Sequence, residues 1–514
     1  MNEHGVRFLS NTLFSIAHQS VVLILGLVLV PAMLLHMGQE KYGVWLVLQI
    51  FCMGGLVPIG ELGFQSAIIR DLARRRALGD EEGFQRTLVT GWILLLVLGI
   101  AVGGLVLLFG RLFFEQAFKI PAALLPEAKA SLVVCGCSVV VGYAALGLKA
   151  YYAGTQDYRR LKLWESGSRL LLVGSLILLL RFSTSVLHAV ILEQVLMTLF
   201  FVAFIPGLRS GNRTGFPIGL RYFSWEEIKN LRRLAFQLFL NRLSWFVYQN
   251  GPEVLVASLL GSAPLTSFSI VAKIPRALKV LQSALNSAIL PMAVTLESTG
   301  FVGNSHKALV LQGGRYTFLL FTPVVAVCAV FAPDILALWL APEYECLGNL
   351  LRAFLAWQFM ALLTAFVVAT LTKPEHYARL LPVNFLGNLV FLVMLFVGIH
   401  QHGLWSVLAG LLVSGTLTVV ATLILSMRVG SFTFVEFFQE VLRGPILGVG
   451  LVIGLAAALS RWLLHSGHAA FAMALLLGSF LAYFFFFAFW GLRQAERELI
   501  GTLIRRAFGL GKPQ

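Results

Sequence analysis

The sequence predicts an all-α integral membrane protein of about fourteen transmembrane helices, arranged as two six-helix bundles with two further helices at the C-terminal end. Three observations predict it. Of 514 residues, 58% are hydrophobic and only 12% charged. The mean hydropathy is +0.85. Apolar runs of transmembrane length recur from one end of the chain to the other. A soluble domain is about a quarter charged. Halving that charge leaves too little to solvate a globular surface, which excludes a soluble enzyme and a disordered scaffold.

Apolar stretches separated by polar or basic segments place helices at about 8–35, 43–69, 87–109, 129–155, 163–181, 186–206, 233–261, 265–295, 314–340, 348–372, 381–400, 404–427, 445–465 and 470–491. Arg7 leads into a first span too long for the h-region of a cleavable signal, so that span is expected to be a permanent anchor. The largest basic segment, 207–232, contains the amphipathic stretch FSWEEIKNLRR, with Trp225 suited to the headgroup layer. It divides the chain into an N-terminal bundle (1–206) and a C-terminal bundle (233–427), followed by two additional spans (428–491) and a basic tail (492–514).

An internal repeat supports the division. QDYRRLKLWESGSRLLLVGSL is similar to PEHYARLLPVNFLGNLVFLVM, pairing Tyr158 with Tyr377, Arg160 with Arg379 and Leu161 with Leu380. LLHMGQEKYGVWLVLQI is similar in outline to LLGSAPLTSFSIVAKI at a comparable offset of about 220 residues. Six helices per repeat is an even number, so the copies would share one orientation and be related by a pseudo-two-fold axis along the membrane normal.

The 39 Lys and Arg exceed the 24 Asp and Glu, for a net charge of +15. With the N-terminus inside, about 26 basic residues fall in cytoplasmic segments and about 6 outside, the asymmetry expected of a multi-pass membrane protein with both termini in the cytoplasm. Basic segments beside anionic lipid account for the charge without nucleic acid as a partner.

Seven basic residues remain within the spans: Lys149, Arg169, Arg242, Lys273, Arg276, Lys279 and Arg352. Each costs about 2.5–3.5 kcal/mol at mid-bilayer even on the lenient insertion scale. Lys273, Arg276 and Lys279 recur at i, i+3 and i+6, which places them on one half of helix eight with Ser269, Gln282, Ser283, Asn286 and Ser287. Ile270, Ile274, Leu278, Leu281 and Leu285 take the other half. Helix seven presents Arg242, Gln249 and Glu253 on one face, helix four brings Lys149 beside Tyr151 and Tyr152, and helix ten adds Arg352. The first helix has a milder polar face of Arg7, Asn11, Ser15 and His18.

These residues are expected to line a wet cationic cavity near the midplane. The bland alternative is a set of internal ion pairs with Glu61, Glu165, Glu193 and Glu253. Seven cations against four acids favours an anionic ligand. The candidate substrate-binding residues are therefore Arg242, Lys273, Arg276, Lys279, Lys149, Arg352, Gln249 and Tyr152. Glu61 and Glu253, each near a Pro and a Gly, are candidates for coupling to a proton or Na⁺ gradient.

Other chemistry is sparse. No HExxH, GxSxG or phosphate-cradling GxxxxGK[ST] occurs, and no catalytic residue, metal site or cofactor is expected. Five Cys form no CxxC pair, and Cys135 and Cys137 point apart on a helix. Gly99 and Gly103 read as helix-packing positions.

At these residues the chain resembles the polysaccharide transporter, or O-antigen flippase, branch of the MATE-like flippase superfamily. The resemblance rests on KYGVW followed by ELGFQSAIIRDLA, with Gly63 twenty residues after Gly43, on LKAYYAGTQDYRR, and on PEVLVASLLGSAPLTSFSIVAKI with the later LPMAVTL. It covers about residues 1–427. The related lipid II flippases concentrate arginines in the first two helices, whereas the inner half of the first helix here has Arg7 and His18. Where the family often has Asp in helix seven, this chain has Gly251-Pro252-Glu253.

The resemblance implies two bundles forming a V that opens alternately to either side. It implies as substrate an undecaprenyl-pyrophosphate-linked oligosaccharide moved from inner to outer leaflet, with Arg242, Lys273, Arg276 and Lys279 in the phosphate region. Expected partners are this polyprenyl-linked anionic glycolipid, membrane lipid, and a polysaccharide polymerase and glycosyltransferases acting on the same material. The chain itself is expected to be a monomer. Two rivals are a cation-coupled multidrug antiporter, which would prefer an acidic cavity, and a membrane-embedded polymerase or glycosyltransferase, which would need a long outer loop with paired acids.

Overall fold

A computed structural model describes residues 3–204, 220–298, 302–370 and 374–446, together with 448, 450, 478 and 483. The described residues are nearly all helical, and eight of their helices are long and apolar enough to cross a membrane. The expected spans at 445–465 and 470–491 fall almost wholly outside the described residues, and the basic tail does so entirely.

The first two spans differ from expectation. Helix α1 runs from Glu3 to Ile50 through Pro31, with an interruption at Gly38 (φ 75°, ψ 174°). The expected second span, 43–69, is broken. Its first part is the end of α1, a short 3₁₀ turn follows at Val57–Glu61, and α2 begins only at Phe64 and ends at Leu78. The cause is local. Pro58 has no N–H to continue a helix, and Leu62 (φ 52°) and Gly63 (φ 78°) adopt left-handed conformations. Tyr143 holds the break in place, its hydroxyl donating to the Val57 carbonyl at 2.6 Å.

Gly79 in a left-handed conformation ends α2, and Asp80 caps α3 (Glu81–Leu112), accepting from the Gly83 N–H at 2.8 Å. Helix α3 packs against α4 (Leu125–Gly154) through small residues. A Cβ on Gly103 would lie 2.7 Å from the Gly136 carbonyl oxygen, and one on Gly99 would lie 2.6 Å from the Cβ of Tyr143. Helices α5 (Tyr158–Leu180) and α6 (Val186–Phe204) follow, and α5 lies along α1.

The amphipathic stretch 223–233 is not a separate surface helix. Its residues from Trp225 onward form the first turns of α7 (Trp225–Leu259), which continues through Pro252. Helix α8 (Ser262–Ser298) follows after Gly261. Both exceed the roughly 20 residues a bilayer requires, and each carries basic side chains within its length.

By contact density the chain forms two compact units. One comprises Met1–Lys273 and Leu395–Val407, the other Ile274–Met394 and Leu408–Gln514. The division falls inside α8 rather than in the 207–232 segment. In the first unit, α7 and the start of α8 are fitted closely to the N-terminal helices. A Cβ on Gly43 would lie 2.1 Å from the Ser262 carbonyl oxygen, and one on Gly63 would lie 2.2 Å from that of Ala235. The second unit contains α9 (Val302–Val330), a short helix at Ala332–Trp339, α10 (Gly348–Thr370), most of α11 (Pro374–His402) and most of α12 (Leu404–Gly430). Phe318 of α9 meets Phe359 of α10 edge to face at 5.6 Å.

Gly63→Ala is expected to destabilise the protein by about 2–4 kcal/mol, combining the left-handed backbone with overpacking against α7. A thermal melt in detergent checks this, and an unchanged midpoint would contradict the close approach.

Candidate functional site

The basic stripe of helix eight is carried by a single continuous helix. Lys273, Arg276 and Lys279 are each half-buried on α8. Ser269 and Gln282, on the same polar half, are buried, whereas Leu281 of the apolar half is exposed. The apolar half is not turned outward as a whole, since Ile270 and Leu278 are also buried; both halves of α8 are covered by protein along part of their length. Ser283, Asn286 and Ser287 lie in the helix, but their side chains fall outside the described residues. So do those of Gln249, Arg7, Asn11 and Ser15.

The other candidates separate. Arg242 of α7 forms an ion pair with Glu61, which is fully buried at the end of the 3₁₀ turn. The second carboxylate oxygen of Glu61 accepts the Gln65 N–H at 2.5 Å. One acid thus joins the break before α2 to α7. Glu253 is half-buried on α7 in the neighbourhood of Tyr42, whose hydroxyl bonds to Ser269. Tyr152 is buried with its ring edge-on to Tyr151 at 5.4 Å.

Arg352, in the second unit, makes contacts of its own. It is exposed, donating from Nε to the Ala329 carbonyl at 2.9 Å, from Nη2 to that of Val330 at 3.3 Å and from Nη1 to Asn349 Oδ1 at 2.8 Å. It satisfies the last carbonyls of α9, a role open to any Arg near a helix C-terminus.

Lys149 belongs to a cluster that spacing alone did not assemble. Glu165 of α5 accepts Lys149 Nζ at 3.0 Å and Lys162 Nζ at 2.7 Å, and the Nε2 of His18 stands 3.5 Å away. The other ring nitrogen of His18 contacts Ser166 Oγ at 2.9 Å. The Lys162–Glu165 spacing of three residues was a visible signal. The approach of His18, 148 positions before Ser166, had none.

A second unforeseen group ties the α2–α3 turn to the start of α7. Arg75 donates to Asp71 at 2.7 Å, to Asp80 at 3.3 Å, and through Nη2 to both oxygens of Glu227 at 2.7 and 2.8 Å. Thr90 Oγ1 accepts the Ser224 N–H at 3.0 Å close by. Among the described residues no three His, Cys, Asp or Glu side chains are grouped to hold a metal ion.

Solved structures share the fold of this multi-span helical protein. A lipid II flippase, MurJ, in an inward closed conformation is similar with a TM-score of 0.70 at 13% identity, covering 95% of this chain and 99% of that one. An inward-facing multidrug resistance MATE family transporter of the MOP superfamily gives 0.58 at 18% identity, covering 82% and 95%. A MOP superfamily transporter from Pyrococcus furiosus, described as having a binding pocket of reverse polarity, gives 0.57 at 18%, covering 83% and 95%. No curated protein matches the chain in sequence.

The family profile described as "Polysaccharide biosynthesis protein" matches residues 8–297. The chain belongs to that family. It is a multi-pass helical membrane protein of the polysaccharide biosynthesis family with the fold of the MOP superfamily.

Proposed function

We propose that the protein is a flippase that moves an undecaprenyl-pyrophosphate-linked oligosaccharide from the inner to the outer leaflet of a bacterial cytoplasmic membrane by alternating access. The product serves polysaccharide assembly, and no covalent bond is made or broken in the step. The observation that carries this reading is the stripe of Lys273, Arg276 and Lys279 on one half of the continuous helix α8 in a chain with so little charge. A pyrophosphate offers several anionic oxygens, which Arg and Lys bind through short charge-assisted hydrogen bonds. Membership in the polysaccharide biosynthesis family and the fold shared with a lipid II flippase support a lipid-linked cargo.

In this reading Arg276 and Lys279 hold the pyrophosphate and Lys273 extends the positive surface. Arg242 serves mainly by pairing with Glu61, which makes the pair the candidate for coupling to a proton or Na⁺ gradient. The N-terminal side is cytoplasmic, following the bias of basic residues. The cation surplus disfavours the multidrug antiporter, which would prefer an acidic cavity. In cells from which the gene is deleted, the full-length lipid-linked repeat unit should accumulate, accessible only from the cytoplasmic leaflet. Loss of its synthesis instead would favour a polymerase or glycosyltransferase.

A further inference from the structure

The cluster around Glu165 contains more positive charge than one carboxylate needs. Two lysine ammoniums stand within 3.0 Å of it, His18 touches the same oxygen as Lys162, and Arg169 follows one turn along α5. The neighbouring acids are otherwise occupied. Asp157 pairs with Arg160 at 3.4 Å, and Glu193 on α6 accepts Gln49 Nε2 at 2.7 Å while lying near Arg169. A structural ion pair needs one partner, not two lysines and an imidazole. The cluster is also open: the Lys149 side chain remains 44% exposed.

Its depth in the membrane is informative. Helix α4 ends at Gly154, five residues beyond Lys149, and α5 begins at Tyr158, seven residues before Glu165. At 1.5 Å per residue the lysines and Glu165 lie within about 10 Å of the helix ends, the level of lipid headgroups. A phosphate group on a membrane lipid occupies that level before the lipid is moved.

We propose that Lys149 and Lys162, held together by Glu165, form a receiving site for the pyrophosphate of the lipid-linked substrate at the membrane interface on the N-terminal side. The identity of the occupant rests on the flippase reading. The site is separate in the chain from the stripe on α8. Glu165 is the resident counter-anion, keeping the ammoniums together while the site is empty and yielding them when pyrophosphate arrives. An anionic headgroup of bulk lipid has the same chemistry and is the competing occupant.

The test uses the full-length protein in phosphatidylcholine nanodiscs, titrated with farnesyl pyrophosphate. The Lys149→Ala/Lys162→Ala double variant should bind about tenfold or more weakly, the loss expected when charged hydrogen bonds to an anion are removed. Lys149→Arg/Lys162→Arg should retain binding. Glu165→Gln should bind more tightly than the wild type, because the resident anion is gone.

Unchanged binding by a monodisperse double-alanine variant would overturn the proposal. So would weaker binding by Glu165→Gln accompanied by a lower melting temperature, the result expected of a purely structural ion pair. Abolition of farnesyl pyrophosphate binding in phosphatidylglycerol nanodiscs would assign the site to bulk lipid and overturn the substrate assignment. Wild-type flipping measured in parallel separates the two readings. Normal flipping with unchanged binding in the double variant retires this site alone, whereas absence of wild-type flipping retires the functional reading.

Discussion

Arg276→Ala/Lys279→Ala is expected to abolish polysaccharide export in a deletion strain while the protein is still made and inserted. The single variants should each reduce export severely. The expectation follows from cost and geometry together. Two basic groups on a membrane helix cost about 5–7 kcal/mol if they face lipid, so a helix that keeps them must offer them something on its inward side. Ser269 and Gln282, on the same half of α8 as the two cations, are buried. Removing both cations relieves this cost, so membrane insertion should improve or stay unchanged while transport fails. Immunoblotting of membranes beside an export assay checks both halves. Full export by the double variant would reduce the stripe to helix packing.

The second large effect concerns stability. Arg242→Ala leaves the Glu61 carboxylate, which is 0% exposed, without its partner, and should cost about 3 kcal/mol, the lower end of the range for breaking a buried pair. The lower end applies because the Arg242 side chain is 39% exposed and partly screened. The reverse change should be milder. Glu61→Gln leaves an arginine that can turn toward polar surroundings, at a cost of about 1 kcal/mol. Thermal melts of the two variants in detergent should therefore be unequal, with Arg242→Ala the lower. Glu61→Leu/Arg242→Leu should recover part of the loss, since neither charge then remains buried. Equal midpoints for all variants would contradict a pair that joins the break before α2 to α7.

How much of this was legible from sequence depended on whether the signal was local. The α8 stripe was readable because helical periodicity alone fixes which side chains share a face, and α8 does run unbroken through Lys273, Arg276 and Lys279. Gly99 and Gly103 were likewise readable as packing positions, and both meet α4 at distances that leave no room for a Cβ.

The broken second span was not read, because hydropathy continues through 43–69 while the backbone is interrupted at Pro58 and Gly63. The amphipathic stretch after Phe223 was recognised, but its continuity with α7 was not, since basic residues ended the apolar run. The pairs themselves were beyond reach. Arg242 and Glu61 lie 181 positions apart, and no spacing rule joins them. The same holds for His18 and the Glu165 cluster: Lys149 is visible in the sequence as a basic residue in a span, but its surroundings are not.

Carriage of a pyrophosphate-linked lipid across a bilayer, as proposed, is tested most directly in liposomes. The purified protein is reconstituted into liposomes containing a fluorescent polyprenyl-pyrophosphate oligosaccharide, and a membrane-impermeant quencher reports which leaflet holds the label. The expected result is a protein-dependent rise in the quenchable fraction, lost in Arg276→Ala/Lys279→Ala. A quenchable fraction no different from that of protein-free liposomes, for every such lipid tried, would contradict the account.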